Sequence, residues 1–178
     1  MNYRPITDVW ILARPKVKYY GAYPNGFLHR ARNLLGVQLG APVLHICGGM
    51  IRQYPCRGFG PNDKTLDLNP ACAPDFLRDA RLPFPFNPDA VGPWAAVLID
   101  RPYSLEDAAH YPPGAAVFPE ANKLVKSGIE VVAIGGKVGI LDYVWPQPPK
   151  NATEQALIAV GMGRNNRARW FTVFERMS

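Results

Sequence analysis

The run Ala95-Ala96-Val97-Leu98-Ile99 is apolar throughout and breaks off at Asp100-Arg101-Pro102-Tyr103. A strand without polar alternation has no solvent face, so it belongs in a sheet covered on both sides, and such sheets are nearly always parallel with helices above and below. In open α/β sheets ligands bind beyond the carboxyl ends of the strands. An acid, a proline and an aromatic placed at such an end therefore mark a candidate site.

Other segments repeat this pattern. Val43-Leu44-His45-Ile46 runs into Cys47-Gly48-Gly49, a turn in which missing Cβ atoms let backbone amides approach a ligand. Thr65-Leu66-Asp67-Leu68 is a short apolar stretch with an acid at the place from which nucleotide-binding sheets reach ribose hydroxyls. Glu120–Lys126 has helical composition and meets Ser127-Gly128, a plausible carboxyl cap, before the strand-like run Glu130–Gly135. Ala156–Val160 and Trp170–Phe174 are strand-like runs joined by a Gly, Asn and Arg-rich link, which predicts a hairpin. Proline-rich stretches at 82–93, 111–114 and 145–150 mark loops, and in the last of these regions Tyr143 and Trp145 are candidate stacking side chains.

The chemistry suited to Asp100-Arg101-Pro102-Tyr103 follows from the residue types. An exocyclic amine on adenine or cytosine is a poor nucleophile because its lone pair is delocalised into the ring, and two acceptors on its hydrogens help to localise it. Asp100 supplies one acceptor and the carbonyl of Arg101 the other. Tyr103 offers a stacking face to a base turned out of its helix, and Pro102 stiffens the turn. The same residues also compose an ordinary Asp-x-Pro turn, so on their own they leave both readings open.

In this setting Asp-Arg-Pro-Tyr resembles the Asp-Pro-Pro-Tyr motif of amino-directed nucleic-acid methyltransferases. Asp79-Ala80-Arg81-Leu82-Pro83-Phe84 resembles the Asp-Ala-x-Leu-Pro-Phe segment of class I methyltransferases. In order and spacing the pieces, from Tyr19 to Arg176, are similar to small phage-type DNA adenine methyltransferases. The resemblance implies an α/β fold: a Rossmann-like, doubly wound, mostly parallel sheet ending in an antiparallel hairpin. It implies S-adenosylmethionine as cofactor and methyl transfer to an exocyclic amine of a nucleobase, adenine N6 in DNA. An RNA base methyltransferase and a catalytically silent cofactor-binding subunit are the alternatives.

The resemblance also implies residue roles. Tyr20 lies in the segment Lys18–Phe27, which looks like the motif that closes over the methionine end of the cofactor. Cys47, Gly48 and Gly49 border the methionine part, Asp67 with Leu68 takes the ribose hydroxyls, and Asp79 and Ala80 flank the adenine. Asp100 borders both cofactor and substrate, and with Arg101, Pro102 and Tyr103 it forms the catalytic motif. No metal is implied.

Departures from the family pattern are definite. The family has an acid where His45 stands and further glycines near Cys47 and Ile51. Met50–Thr65 holds two prolines and two glycines where the family has a helix, so at most a single turn is expected there. Arg101 replaces a motif proline and brings a cation to a place near which phosphate would pass.

At 178 residues and 48% hydrophobic, the chain is expected to fold as one domain, with a cofactor-closing segment at 1–40 and a sheet core at 41–178. No segment has the length of a sequence-recognition domain, so readout of a nucleic acid is expected to be slight or supplied by an accessory subunit; a homodimer is also open. The net charge of +6 favours a polyanionic partner, DNA above all, although a solvated basic surface accounts for it equally. Its cations group as Lys16, Lys18, Arg30 and Arg32, and as Arg164, Arg167 and Arg169. The three cysteines form no Cys-x-x-Cys pair, the opening Met1–Pro5 is polar, and Val9–Ala13 is too short for a membrane span. A cytoplasmic protein is expected. Of the three histidines, His45 reads as a packed strand residue, and His110 stands close enough after Asp100 to touch substrate.

Overall fold

The computed structural model describes residues 4–17, 21–87, 93–111, 119–163 and 167–178. In chain order its elements are β1 (Ile6–Leu12), α1 (Phe27–Leu35), β2 (Val43–Ile46), β3 (Lys64–Asp67), β4 (Phe76–Leu77), β5 (Trp94–Ile99), α2 (Leu105–Ala108), α3 (Ala121–Val131), β6 (Val132–Asp142), β7 (Ala152–Met162) and β8 (Ala168–Arg176). The strands form one sheet in the order β1-β7-β8-β6-β5-β2-β3-β4. Pairing is parallel except around β8, which runs against both β6 and β7. The expected mostly parallel α/β sheet with a carboxyl-terminal antiparallel hairpin is what forms.

Each face of the sheet carries its own apolar core. On one face Phe27, Leu28 and Leu35 of α1 pack with Trp10, Leu98 and Phe171. On the other, Leu124, Val125 and Ile129 of α3 pack with Val97, Ile99 and Ile140. Successive residues of β5 thus serve opposite faces, which is why the strand needs to be apolar at every position.

Three sequence expectations are corrected. The sheet begins at Ile6, not at residue 41: β1 lies in parallel beside β7, with Trp10 and Leu12 buried. Ser127-Gly128 does not end a helix, because α3 continues to Val131. Gly128 is instead a contact point, since a Cβ there would stand 2.9 Å from Cγ1 of Val138 on β6. The strand core is not Glu130–Gly135 either: the ladder with β5 is interrupted after Val132 and resumes at Lys137, and Ile134 is exposed. The residues paired with Val97–Ile99 are Val138–Ile140.

Between β2 and β3 the expected loss of a helix is observed, with a single 3-10 turn at Ile51–Gln53. Polar contacts hold the segment. Buried Asp63 accepts from Nη1 of Arg32 at 2.8 Å, contacts Nε2 of His45 at 3.1 Å, and accepts from the Gly60 amide at 2.8 Å. Arg32 also donates to the carbonyls of Gln38 and Leu39 at 2.8 and 3.0 Å. It is therefore an internal brace, not part of the basic surface expected around residues 16–32. His45 is fully buried, as its strand position suggests. No helix among the described residues is long and apolar enough to cross a membrane.

Removing the carboxylate would strand the Arg32 guanidinium in the interior, an error that typically costs about 3 to 5 kcal/mol. Asp63→Ala should lower unfolding free energy by about that amount in urea titration; a loss under about 1 kcal/mol would show that Asp63 does not brace the fold.

Candidate active site

One edge of the sheet collects the strand ends that bear the candidate site residues. β2, β3, β5 and β6 are parallel, so Ile46, Asp67, Ile99 and Asp142 end there together. β8 runs the other way and starts at this edge with Arg169, β7 finishes there at Met162, and β1 points Arg14 toward it. The edge has two halves, a glycine turn after β2 and a cavity beyond β5 to β8. Asp100 stands at their border, its amide donating to the Ile46 carbonyl at 3.1 Å.

On the first half, Cys47 has φ 55° and Gly49 φ 54°. Both are left-handed, a conformation that glycine adopts freely and other residues rarely. Cys47 therefore takes a backbone shape suited to a glycine, at the place where the family pattern has one nearby. The turn is tied to β3: the Cys47 amide donates to the Leu66 carbonyl at 2.8 Å, and the Gly49 amide donates to Oδ2 of Asp67 at 2.9 Å. The other oxygen of Asp67 accepts from the Asn69 amide at 2.9 Å. Leu68 is exposed, Ala80 is buried, and Asp79 is ion-paired with Arg81 through Nε and Nη2. That hydrogen-bonded pair holds the Asp79 carboxyl below its usual range. A Cβ on Gly49 would meet nothing within 4 Å, so the space over the turn is open. The Tyr23 hydroxyl is buried and among the described residues has no hydrogen-bond partner. Burial, with Asp100, Cys56 and Cys47 nearby, pushes its phenol well above the ordinary range and keeps it a neutral donor. Tyr20 lies outside the described residues.

The second half is a cavity of about 520 Å³, whose lining includes Asp100, Pro102, Tyr103, Tyr143, Arg167 and Arg169. The Tyr103 hydroxyl donates to Oδ1 of Asp100 and accepts from Nη1 of Arg169 at 2.6 Å. Its ring centroid lies 4.6 Å from that of Tyr143 and 5.5 Å from Cζ of Arg169. Burial pushes the Asp100 carboxyl up to about 6, against the opposing pull of Arg169 and Tyr103.

Arg101 is the clearest correction to the sequence reading. Its guanidinium does not face the cavity as a free cation: Nε donates to Oδ2 of Asp142 at 2.6 Å and Nη2 to Oδ1 at 3.2 Å, both groups being buried. The replacement of a motif proline is thus absorbed by a forked pair joining the ends of β5 and β6. Asp142 was legible in the sequence, because Val138–Asp142 is an apolar run closed by an acid, as Ala95–Asp100 is. Trp145 points elsewhere, donating to Glu154 at 2.7 Å, and exposed His110 does not line the cavity. Arg14, and the burial of Arg169, left no signal in composition or spacing.

The three cysteines are free, and among the described residues no three His, Cys, Asp or Glu side chains gather as around a metal ion.

Comparison with solved structures places this geometry. TrmN from Thermus thermophilus superposes with a TM-score of 0.58 at 17% identity, over 89% of this chain and 50% of TrmN. The chain thus spans about half the length of that protein. The fold is that of the class I methyltransferases. The N-methyltransferase NodS from Bradyrhizobium japonicum matches with a TM-score of 0.51 at 12% identity, over 85% of this chain and 97% of NodS. The Streptococcus mutans protein SMU.1697c, solved in complex with SAH, matches with a TM-score of 0.51 at 10% identity, over 84% of this chain and 97% of that one. No protein-family model and no curated protein sequence matches the chain.

The hydrogen bond from Tyr103 holds the Asp100 carboxyl lower than burial alone would leave it. Tyr103→Phe should therefore raise the Asp100 pKa further, as read from its side-chain carboxyl carbon by NMR titration. An unchanged or lowered value would mean that the hydroxyl does not rest on Asp100.

Proposed function

We propose that this chain transfers the methyl group of S-adenosylmethionine to an exocyclic amine of a nucleobase, adenine N6 in DNA. The observation that carries this reading is the position of Asp100 on the border between the open glycine turn and the tyrosine and arginine-lined cavity. A group that must meet both a bound cofactor and a bound base has to stand at such a border.

The first half of the edge has donors and acceptors that fit the cofactor. Gly48 and Gly49 would hold its methionine part, and the buried hydroxyl of Tyr23, without a partner among the described residues, lies near Cys47 of the same turn. Each Asp67 oxygen holds one backbone amide and keeps a lone pair for a ribose hydroxyl. Asp79 and Ala80 would flank the adenine, Asp79 already carrying Arg81 on its carboxylate. When bound, S-adenosylmethionine supplies a methyl group activated by its sulfonium.

The second half orients the acceptor. Oδ1 of Asp100 is taken by Tyr103, and among the described residues no group bonds Oδ2, which leaves that oxygen for the amine. The Arg101 carbonyl is the second acceptor, on a turn held still by the pair between Arg101 and Asp142. Tyr103 and Tyr143 form an aromatic wall for the base. The ring of Tyr103 is already packed against Tyr143 and Arg169, so its part is to complete this wall and to hold Asp100, more than to present a bare face. NodS, an N-methyltransferase by name, shares the fold, which supports nitrogen as the acceptor atom. The net charge of +6 supports a polyanionic substrate.

The ionised carboxylate is the stronger acceptor for the amine, and burial pushes the Asp100 carboxyl up to about 6. Turnover should accordingly rise as pH passes upward through about 6, level off above it, and fall on acidification. Asp100→Ala should cut single-turnover methylation of DNA about 100-fold or more while cofactor affinity, measured by calorimetry, stays within about twofold. Normal methyl transfer by Asp100→Ala would remove this active site.

A further inference from the structure

We propose that the cavity beside Asp100 contains an anion subsite, built around Arg169, that takes the phosphoryl group attached to the nucleoside being methylated. This rests on the nucleobase reading above and specifies what else that substrate carries.

Arg169 sits at the start of β8 and is only 8% exposed. Its Nη1 donates to the Tyr103 hydroxyl at 2.6 Å, whereas Nη2 is buried and among the described residues has no hydrogen-bond partner. A buried guanidinium ordinarily has its donors satisfied, by a carboxylate, by carbonyls or by a ligand. Two other internal arginines follow that rule, Arg32 with Asp63 and Arg101 with Asp142. Among the described residues Arg169 forms no ion pair, and it lines the cavity.

The surroundings specify the anion. Arg14 and Arg167 line the same cavity, whose carboxylates are Asp100 and Asp107. Cζ of Arg167 lies 5.9 Å from the centroid of the Tyr143 ring, and that of Arg169 lies 5.5 Å from the Tyr103 ring. Guanidinium groups beside a pair of mutually tilted tyrosine rings match a ligand with a flat ring at one end and a tetrahedral anion at the other, which is a nucleotide. Cys47, Gly48 and Gly49 do not line the cavity, although Gly21 and Ala22 of the Lys18–Phe27 segment do, so the anion is tested with S-adenosylhomocysteine already in place. At about 520 Å³ the cavity has room for base, sugar and phosphate.

The subsite also links recognition to chemistry. A phosphate in the cavity draws on the Arg169 guanidinium, Arg169 holds the Tyr103 hydroxyl, and that hydroxyl rests on Asp100. Binding the right anion therefore steadies the group that receives the amine.

The test is isothermal titration of the full chain, saturated with S-adenosylhomocysteine, with deoxyadenosine, deoxyadenosine 5′-monophosphate, its 5′-methyl phosphate ester and deoxyribose 5-phosphate. The monophosphate should bind about tenfold or more tightly than deoxyadenosine, and Arg169→Gln should bring the two within about threefold. S-adenosylhomocysteine affinity reports whether that variant folds. Should it fail to fold, the exposed residue in Arg167→Gln narrows the same gap without touching the core. Equal affinity for nucleoside and monophosphate in the unaltered chain, or a gap that persists in both variants, overturns the subsite and leaves the nucleobase reading standing. Deoxyribose 5-phosphate binding as tightly as the monophosphate overturns the nucleobase reading and leaves the subsite standing. Retained affinity for the methyl ester supports a phosphodiester within a polynucleotide, and its loss on esterification supports a free nucleotide.

Discussion

Asp63 is the carboxylate on which the glycine-turn half of this sheet hangs. In the class I fold a helix after the first core strand usually backs the glycine turn, but two prolines and two glycines between Met50 and Thr65 forbid a long one here. A buried hub replaces it. Asp63 draws in Arg32 from α1, His45 from the middle of β2 and the Gly60 amide, so the loop, the helix and the strand share one anchor. Asp75 repeats the device on a smaller scale by accepting from the Thr65 amide at 2.8 Å and pairing with Arg52. Directional polar contacts thus do the positioning that helix packing does elsewhere, and the Cys47 to Gly49 turn keeps its left-handed shape without the helix.

A second buried pair does comparable work across the border. Arg101 and Asp142 tie the ends of β5 and β6, which fixes the turn bearing Asp100, Pro102 and Tyr103. Burial costs these charges solvation, and burial pushes the Asp142 carboxyl up even with Arg101 beside it. What the pair provides is a defined direction for the neighbouring carboxylate. Asp100 is left largely buried at the rim, its own pKa raised into a range where it ionises below neutrality.

Much of this was legible in the residues, for identifiable reasons. β5 announces itself because a strand buried on both faces has no polar position, β2 because its short run is apolar but for His45, and the β7 to β8 hairpin because its link is rich in Gly, Asn and Arg. Gly128 misled because a glycine after a helical run reads as a cap, whereas here it admits Val138 of a neighbouring strand, a contact that sequence spacing does not encode. β1 was missed because an edge strand buries only part of itself: Trp10 and Leu12 are inside while Ile6, Val9 and Ile11 are exposed, so neither period shows. At the site, side-chain types were readable but their directions were not. Arg101 and Arg169 are both arginines beside the same tyrosine motif and both border the cavity, yet the first pairs with a buried acid and the second bonds the Tyr103 hydroxyl.

The central claim is the identity of the acceptor atom, and nucleoside mass spectrometry reads it most directly. Purified chain is incubated with S-adenosylmethionine labelled in its methyl group and with unmethylated DNA, which is then digested to nucleosides. The account predicts label in N6-methyldeoxyadenosine. Label confined to another molecule, or cofactor bound with no methylated base in any nucleic acid offered, would contradict it.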